Sequence, residues 1–267
     1  MSKDLNEIIE GWDYDPDDFA SNVRRIQGGD GRSRLQLRTD LGIYQLELEG
    51  RPDGKRPGGQ KSMLDYYLFK AQEHENKYDA VEGRFKLTEG DIAKLYREAI
   101  QFYHRRICFF ALKDFEGARR DAEHTLGIMD IVKRYANSRI AVMHFEQYRP
   151  YLIGEKTRAI GLACLERKDY PGTLQVIGEG VNEIMDFYRD YGHEELIDKC
   201  QQIQFLRGWQ EQLRRDWEND TGDLPISGLT LEEQLKIAIQ QEDYEEAVRL
   251  RDRIREQKGN KMRPDNL

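Results

Sequence analysis

Cysteine is scarce in this chain, and what there is stands far apart. Three residues, Cys108, Cys164 and Cys200, occur in 267 positions. No C-x-x-C pair exists among them, so neither a disulfide framework nor a zinc ribbon is indicated. No apolar run approaches the ~20 residues of a membrane span. The opening MSKDLNEIIEGW lacks the basic-then-apolar order of a signal peptide. The expectation is a cytoplasmic protein that does not enter a membrane.

Net positive charge is also missing. The formal net charge is −8, and the first twenty residues set one base, Lys3, against seven acids. Phosphate affinity comes largely from clustered Lys and Arg, so the chain as a whole is a poor non-specific nucleic-acid binder. Only residues 21–61 run the other way, with nine bases against five acids.

Recognisable catalytic patterns are absent as well. His74, His104, His124, His144 and His193 form no H-E-x-x-H or other close ligand pair. GKRPGGQKS at 54–62 approaches a phosphate-binding loop, but Gln60 separates the last Gly from Lys61. Gly42-Ile43-Tyr44 matches half of a GIY-YIG nuclease signature without its second half, and Tyr44 reads as a hairpin core residue. No Ser or Cys stands in a nucleophile setting. The sequence therefore calls for no enzyme, no cofactor and no metal.

What is present is a patterned, charged, helical chain. Charged residues make up 34% of it and aromatic residues 10%, including 14 Tyr. Disordered chains are poor in aromatics, so an ordered body is expected. Leu5, Ile8, Ile9 and Trp12 fall at helical spacing. Asp15-Pro16-Asp17-Asp18 reads as a helix start, with Phe19, Val23 and Ile26 on its buried side. Leu35, Leu37 and Thr39, then Tyr44, Leu46 and Leu48, alternate with polar residues about an Asp40-Leu41-Gly42 turn, which predicts a β-hairpin. Arg38 and Glu47 are expected to pair on its polar face.

From Ser62 onward the period is helical. Ser62 with Asp65, and Thr88 with Asp91, give two N-terminal capping signals. Ile92, Leu95, Tyr96, Ala99, Phe102, Tyr103 and Phe110 mark one long helix with a broad apolar face. Further helices are expected at about 115–135, 138–167, 171–190 and 193–218, with Pro150 breaking or kinking the second of these four. Asn219 to Gly228, NDTGDLPISG, reads as a linker.

One pattern occurs three times: LKDFEGA at 112–118, ERKDYPGT at 166–173 and QQEDYEEA at 240–247. Each ends a helix, sets Asp before an aromatic, and places a small residue three positions after it. Asp114, Asp169 and Asp243 are expected to cap the next helix, while Ala118, Thr173 or Ala247 lets two helices approach. The first two units resemble tetratricopeptide repeats, with Phe109 and Gly161 at the matching first-helix positions. The aspartates, however, stand 55 and 74 residues apart, against a repeat period of ~34.

The third unit carries a closer resemblance. Leu231 to Ile254, with capping signals at Thr230–Glu233 and Asp243–Glu246, resembles the UVR motif, a short helical hairpin found in the excinuclease subunits UvrB and UvrC. That motif also occurs in Clp-type chaperones and in activators of protein-arginine kinases. The resemblance implies that Leu231, Leu235, Ala238 and Ile239 face Tyr244, Ala247, Leu250 and Ile254. So short a hairpin cannot bury its own apolar stripe. It needs a partner, and Arg249, Arg251, Asp252 and Arg253 would form a charged rim that sets register.

The expected protein is mainly α. Residues 1–61 form an N-terminal helix and β-hairpin segment, and 62–218 a bundle of tetratricopeptide-like hairpins. A linker at 219–229 leads to a helical hairpin at 230–258. The function expected is that of a non-enzymatic adaptor. Its partner would be another protein, such as one with its own UVR motif or a second copy of the chain, in excision repair or a chaperone–protease system. The alternative is nucleic-acid binding through Arg24, Arg25, Arg32, Arg34, Arg38, Arg51, Lys55 and Arg56, although Glu47, Glu49 and Asp53 interrupt that surface.

Overall fold

A computed structural model describes residues 5–77 and 84–221, together with Arg249, Arg251, Arg253 and Ile254. The described chain is mainly α-helical, with one small N-terminal antiparallel sheet. It divides into two compact units, Met1–Ile160 and Gly161–Leu267.

The first unit opens with α1 (Asn6–Ile9), a single turn with no buried residue. The helix expected after Asp15 does not form. Asp15 and Asp18 instead spend their carboxylates on the backbone N–H groups of Asp17, Asp18, Ala20 and Ser21. A 3-10 turn at Ala20–Asn22 then leads into a strand, β1 (Val23–Gln27). Asn22, buried in this corner, donates to the Asp15 and Asp18 carbonyls. Short polar side chains here satisfy the backbone in a turn more readily than in a helix. Of the predicted buried trio, Val23 is buried while Phe19 lies open to solvent.

β1 pairs antiparallel with β2 (Ser33–Thr39), and β2 with β3 (Gly42–Glu47), giving the order β1-β2-β3. Thr39 faces Gly42 across a two-residue turn, which sets Leu37 opposite Tyr44 and Arg34 opposite Glu47. Arg34 therefore makes the ion pair with Glu47, at 2.7 Å, in place of the expected Arg38. Arg38 turns to the Trp12 and Gly42 carbonyls. Leu35, Leu37 and Leu46 are buried, whereas Tyr44 is half-exposed with its ring 5.0 Å from His104. A three-stranded sheet with one apolar face needs cover. Val23, Leu35, Leu37 and Leu46 obtain it in one cluster with Cys108, Phe109, Ala118 and Ala159.

That cover comes from helices. Ser62 caps α2 (Met63–Lys77), its hydroxyl accepting from the Asp65 N–H at 2.9 Å. Thr88 and Asp91 form the predicted capping box at the head of α3 (Glu89–Ala111). α4 (Phe115–Tyr135) returns against α3. A short α5 (Arg139–Glu146) follows, and the chain breaks at Gln147-Tyr148 so that Pro150 sits in the first turn of α6 (Arg149–Glu166). Proline is tolerated there because its absent N–H has no intrahelical partner to lose.

The second unit begins inside α6. It continues with α7 (Tyr170–Asp190), a 3-10 segment at Glu194–Lys199 and α8 (Gln201–Thr221), where one helix was expected over 193–218. Leu174, Ile177, Val181 and Ile184 of α7 and Ile203, Leu206 and Leu213 of α8 are buried at helical spacing. α7 and α8 pack against each other along these stripes.

Candidate functional site

Charged residues at apolar-stripe positions of α3 organise the interior of the first unit. Glu98 lies between Leu95 and Phe102 on the buried face, where a carboxylate needs full compensation. It accepts the N–H groups of Met63 and Leu64 at 2.7 and 3.0 Å, so a side chain of α3 caps the start of α2. His124 Nε2 lies 3.0 Å from Glu98, with its ring stacked on Phe102, and Arg51 approaches at 3.3 Å. Two helical turns on, Arg105 is gripped by Asp121 and donates to the Glu47 and Gly50 carbonyls, which ties the sheet to the bundle.

Arg106 differs from its neighbour. It is buried beside a cavity of about 240 Å³ lined chiefly by aromatic residues of α3, α5 and α6. Tyr96, Tyr103 and Tyr151 are among them, with Phe145 edge-on to Tyr96. Tyr96 and Tyr103 were expected as part of a buried helix face; they are instead about two-fifths exposed at the cavity's edge. The signal in the sequence was the arginine itself, three positions after Tyr103 in an otherwise apolar stripe.

None of the described cysteines has the setting of a nucleophile. All three are buried free thiols, and burial pushes the Cys108 thiol up to about 12.

Six of the eight basic residues considered for nucleic acid are occupied within the chain. Arg24 lies over Trp12 and donates to Gln36, Arg25 pairs with Asp114, and Arg32 and Arg34 share Asp30. Arg38 binds backbone carbonyls, while Arg51 pairs with Asp53 and Glu98. The two guanidiniums beside Asp30 hold its carboxyl well below the usual range. Lys55 and Arg56 are exposed on the loop before α2, which contains the 3-10 turn Pro57–Gly59. These pairings leave a small basic surface rather than the continuous stripe that phosphate binding uses.

The two described Asp-aromatic corners are built alike. Asp114 and Asp169 accept from Gly117 and Gly172 three residues on, as N-caps of α4 and α7. Lys113 and Lys168, one residue earlier, both take φ of 58°. Ala118 and Thr173 are fully buried behind the corner. The third corner, at Asp243, lies outside the described residues, as do Leu235, Ala238, Ile239, Tyr244, Ala247 and Leu250. Of that predicted surface, Arg251 and Arg253 are described as exposed and helical, and Ile254 as partly buried.

Residues 229–258 match the UvrB/uvrC motif. The match includes Asp243 and begins one residue before the 230–258 stretch whose pattern suggested it. The tetratricopeptide resemblance of the body has no such match. No curated protein and no solved structure matches the chain. Among the described residues no helix is long and apolar enough to cross a membrane.

Proposed function

We propose that this is an interaction protein whose C-terminal UVR hairpin recruits a partner, while the helical body serves as its platform. UVR motifs occur in excision-repair and protein-interaction settings. The observation that carries the reading is the motif at 229–258, set directly after the Gly- and Pro-containing stretch Asn219–Gly228. Two short helices joined by a tight corner have more apolar stripe than they can cover themselves. A second hairpin of the same kind supplies the missing face, and Arg249, Arg251, Asp252 and Arg253 select it by charge. The partner is then a protein with its own UVR hairpin, in a repair or chaperone–protease assembly, or a second copy of this chain.

The test uses purified components. The full chain and a chain ending at Asp223 are titrated with isolated UVR hairpins from UvrB, UvrC and a Clp-type chaperone, and self-association is followed by sedimentation. Binding to one of these that disappears on truncation, and in Leu235→Asp and Ile239→Asp, is the expected result. Equal behaviour of the full and shortened chains would sink the proposal.

A further inference from the structure

Arg105 and Arg106 are adjacent, equally buried and chemically identical, yet they are treated in opposite ways. Arg105 has a carboxylate on two nitrogens and two carbonyls on the third. Arg106, 1% exposed, hydrogen-bonds the Tyr151 side chain but has no partner at Nε or Nη1. Buried guanidinium donors without acceptors are rare, because the donors lose water and gain nothing in return. The carboxylate closest at hand, Glu155, stands 3.8 Å from Nε, beyond hydrogen-bond reach. Tyr103 and Tyr151 flank the guanidinium with ring centres 5.6 and 5.7 Å away. Arg106 is one of the residues that line the aromatic cavity of about 240 Å³.

We propose that this cavity binds a small organic monocarboxylate, with the carboxylate on Arg106 and an aromatic or branched aliphatic body against Tyr96, Phe145 and Met129. Volume and lining set the body: the space is below that of a drug-sized site, and its walls are almost wholly apolar. Charge sets the head group. Glu155 is shared between Arg106 and Arg158, the latter at 3.7 Å, so the three groups together carry a single positive charge. One negative charge completes that balance, whereas a phosphate dianion would exceed it. A planar carboxylate also matches the forked donors of a guanidinium.

The site is independent of the UVR hairpin, so its failure and the failure of hairpin recruitment are separate results. The test is calorimetric titration of the full chain with phenylacetate, indole-3-acetate and 4-methylvalerate, each beside its uncharged amide. At least one acid is expected to bind, with its amide weaker by about tenfold or more, as for loss of a charged hydrogen bond. Arg106→Met, which keeps the apolar stem, should abolish the preference for acid over amide. Glu155→Gln should tighten acid binding, and it provides an arm that does not depend on Arg106→Met folding. Equal binding of acid and amide, an unchanged preference in Arg106→Met, or no binding of any acid at millimolar concentration would overturn the assignment. So would binding of a leucine-ended tripeptide by a chain that ignores all three free acids.

Discussion

Arg105 and Asp121 form a two-pronged ion pair in the interior, with Nε and Nη2 at 2.8 and 2.7 Å from the two carboxylate oxygens. Burial pushes the Asp121 carboxyl up, against the pull of Arg105. The third arginine nitrogen holds the Glu47 and Gly50 carbonyls at 2.8 Å each. A single side chain of α3 thus joins α4, β3 and the loop that follows β3.

Removing one partner strands the other. Asp121→Asn is expected to destabilise the fold by about 3–5 kcal/mol, the usual consequence of leaving a buried charge unpaired. Urea denaturation of the variant gives the value. The double variant Arg105→Met/Asp121→Leu should lose less than Asp121→Asn alone. A larger loss would show that the two carbonyl contacts outweigh the ion pair.

The capping box of α3 should make stability depend on acid. Burial works to raise the Asp91 carboxyl, but hydrogen bonds from Tyr67, Thr88 and Lys94 outweigh it and hold the group down to about 2. A carboxyl lowered in the folded state stabilises fully above its unfolded value of 3.8 and loses that contribution as pH falls towards about 2. Asp91→Asn should cost roughly 1 kcal/mol at neutral pH, as for a lost helix cap. Its stability should then be flatter than that of the parent between these two pH values. Thermal melts across that window give the comparison.

Gly161 marks a close approach in the second unit. A Cβ there would lie 2.6 Å from the Trp209 ring and 3.5 Å from the Thr173 methyl. The indole is broad and rigid, so Gly161→Ala is expected to destabilise by roughly 1–3 kcal/mol through overpacking. Gly208→Ala, on the same helix as Trp209, has open space at its Cβ and serves as the control. Equal melting temperatures for the two variants would remove the overpacking argument.

Lys113 and Lys168 occupy the left-handed region at φ 58° in equivalent corners. A side chain with a Cβ is strained there by about 1–2 kcal/mol, part of which glycine returns as extra freedom of the unfolded chain. Lys113→Gly and Lys168→Gly should each stabilise by roughly 0.5 kcal/mol. The same exchange at exposed Lys94, inside α3, should destabilise by at least about 1 kcal/mol, since it also removes a hydrogen bond to Asp91. A chemical-denaturation series of the three variants would settle the sign.

Much of the helical body was written locally. Thr88 with Asp91, Asp114 and Asp169 announced the heads of α3, α4 and α7, because a cap and its N–H partner lie within three residues. The hairpin was legible in the alternation of Leu35 and Leu37 with Gln36 and Arg38. The UVR pattern was legible too, as a dense set of caps and apolar spacings in thirty residues.

Other features depended on contacts between distant residues. Val23 and Ile26 were read as the buried side of a helix, yet Val23–Gln27 is a strand because Ser33–Thr39 lies beside it and strand pairing is supplied by another segment. Arg34 rather than Arg38 reaches Glu47 because the two-residue turn fixes the register, and register is a property of two strands together. Glu98, Arg105 and Arg106 stand on one helix within about two turns and look alike as charges in an apolar stripe. Their partners come from α2, α4, α6 and the loop after β3. Sequence therefore determined which elements form and where most of them begin. Tertiary packing alone decided which buried charge is fully hydrogen-bonded and which one lies beside a cavity, because a buried charge takes its energy from whatever the fold brings beside it.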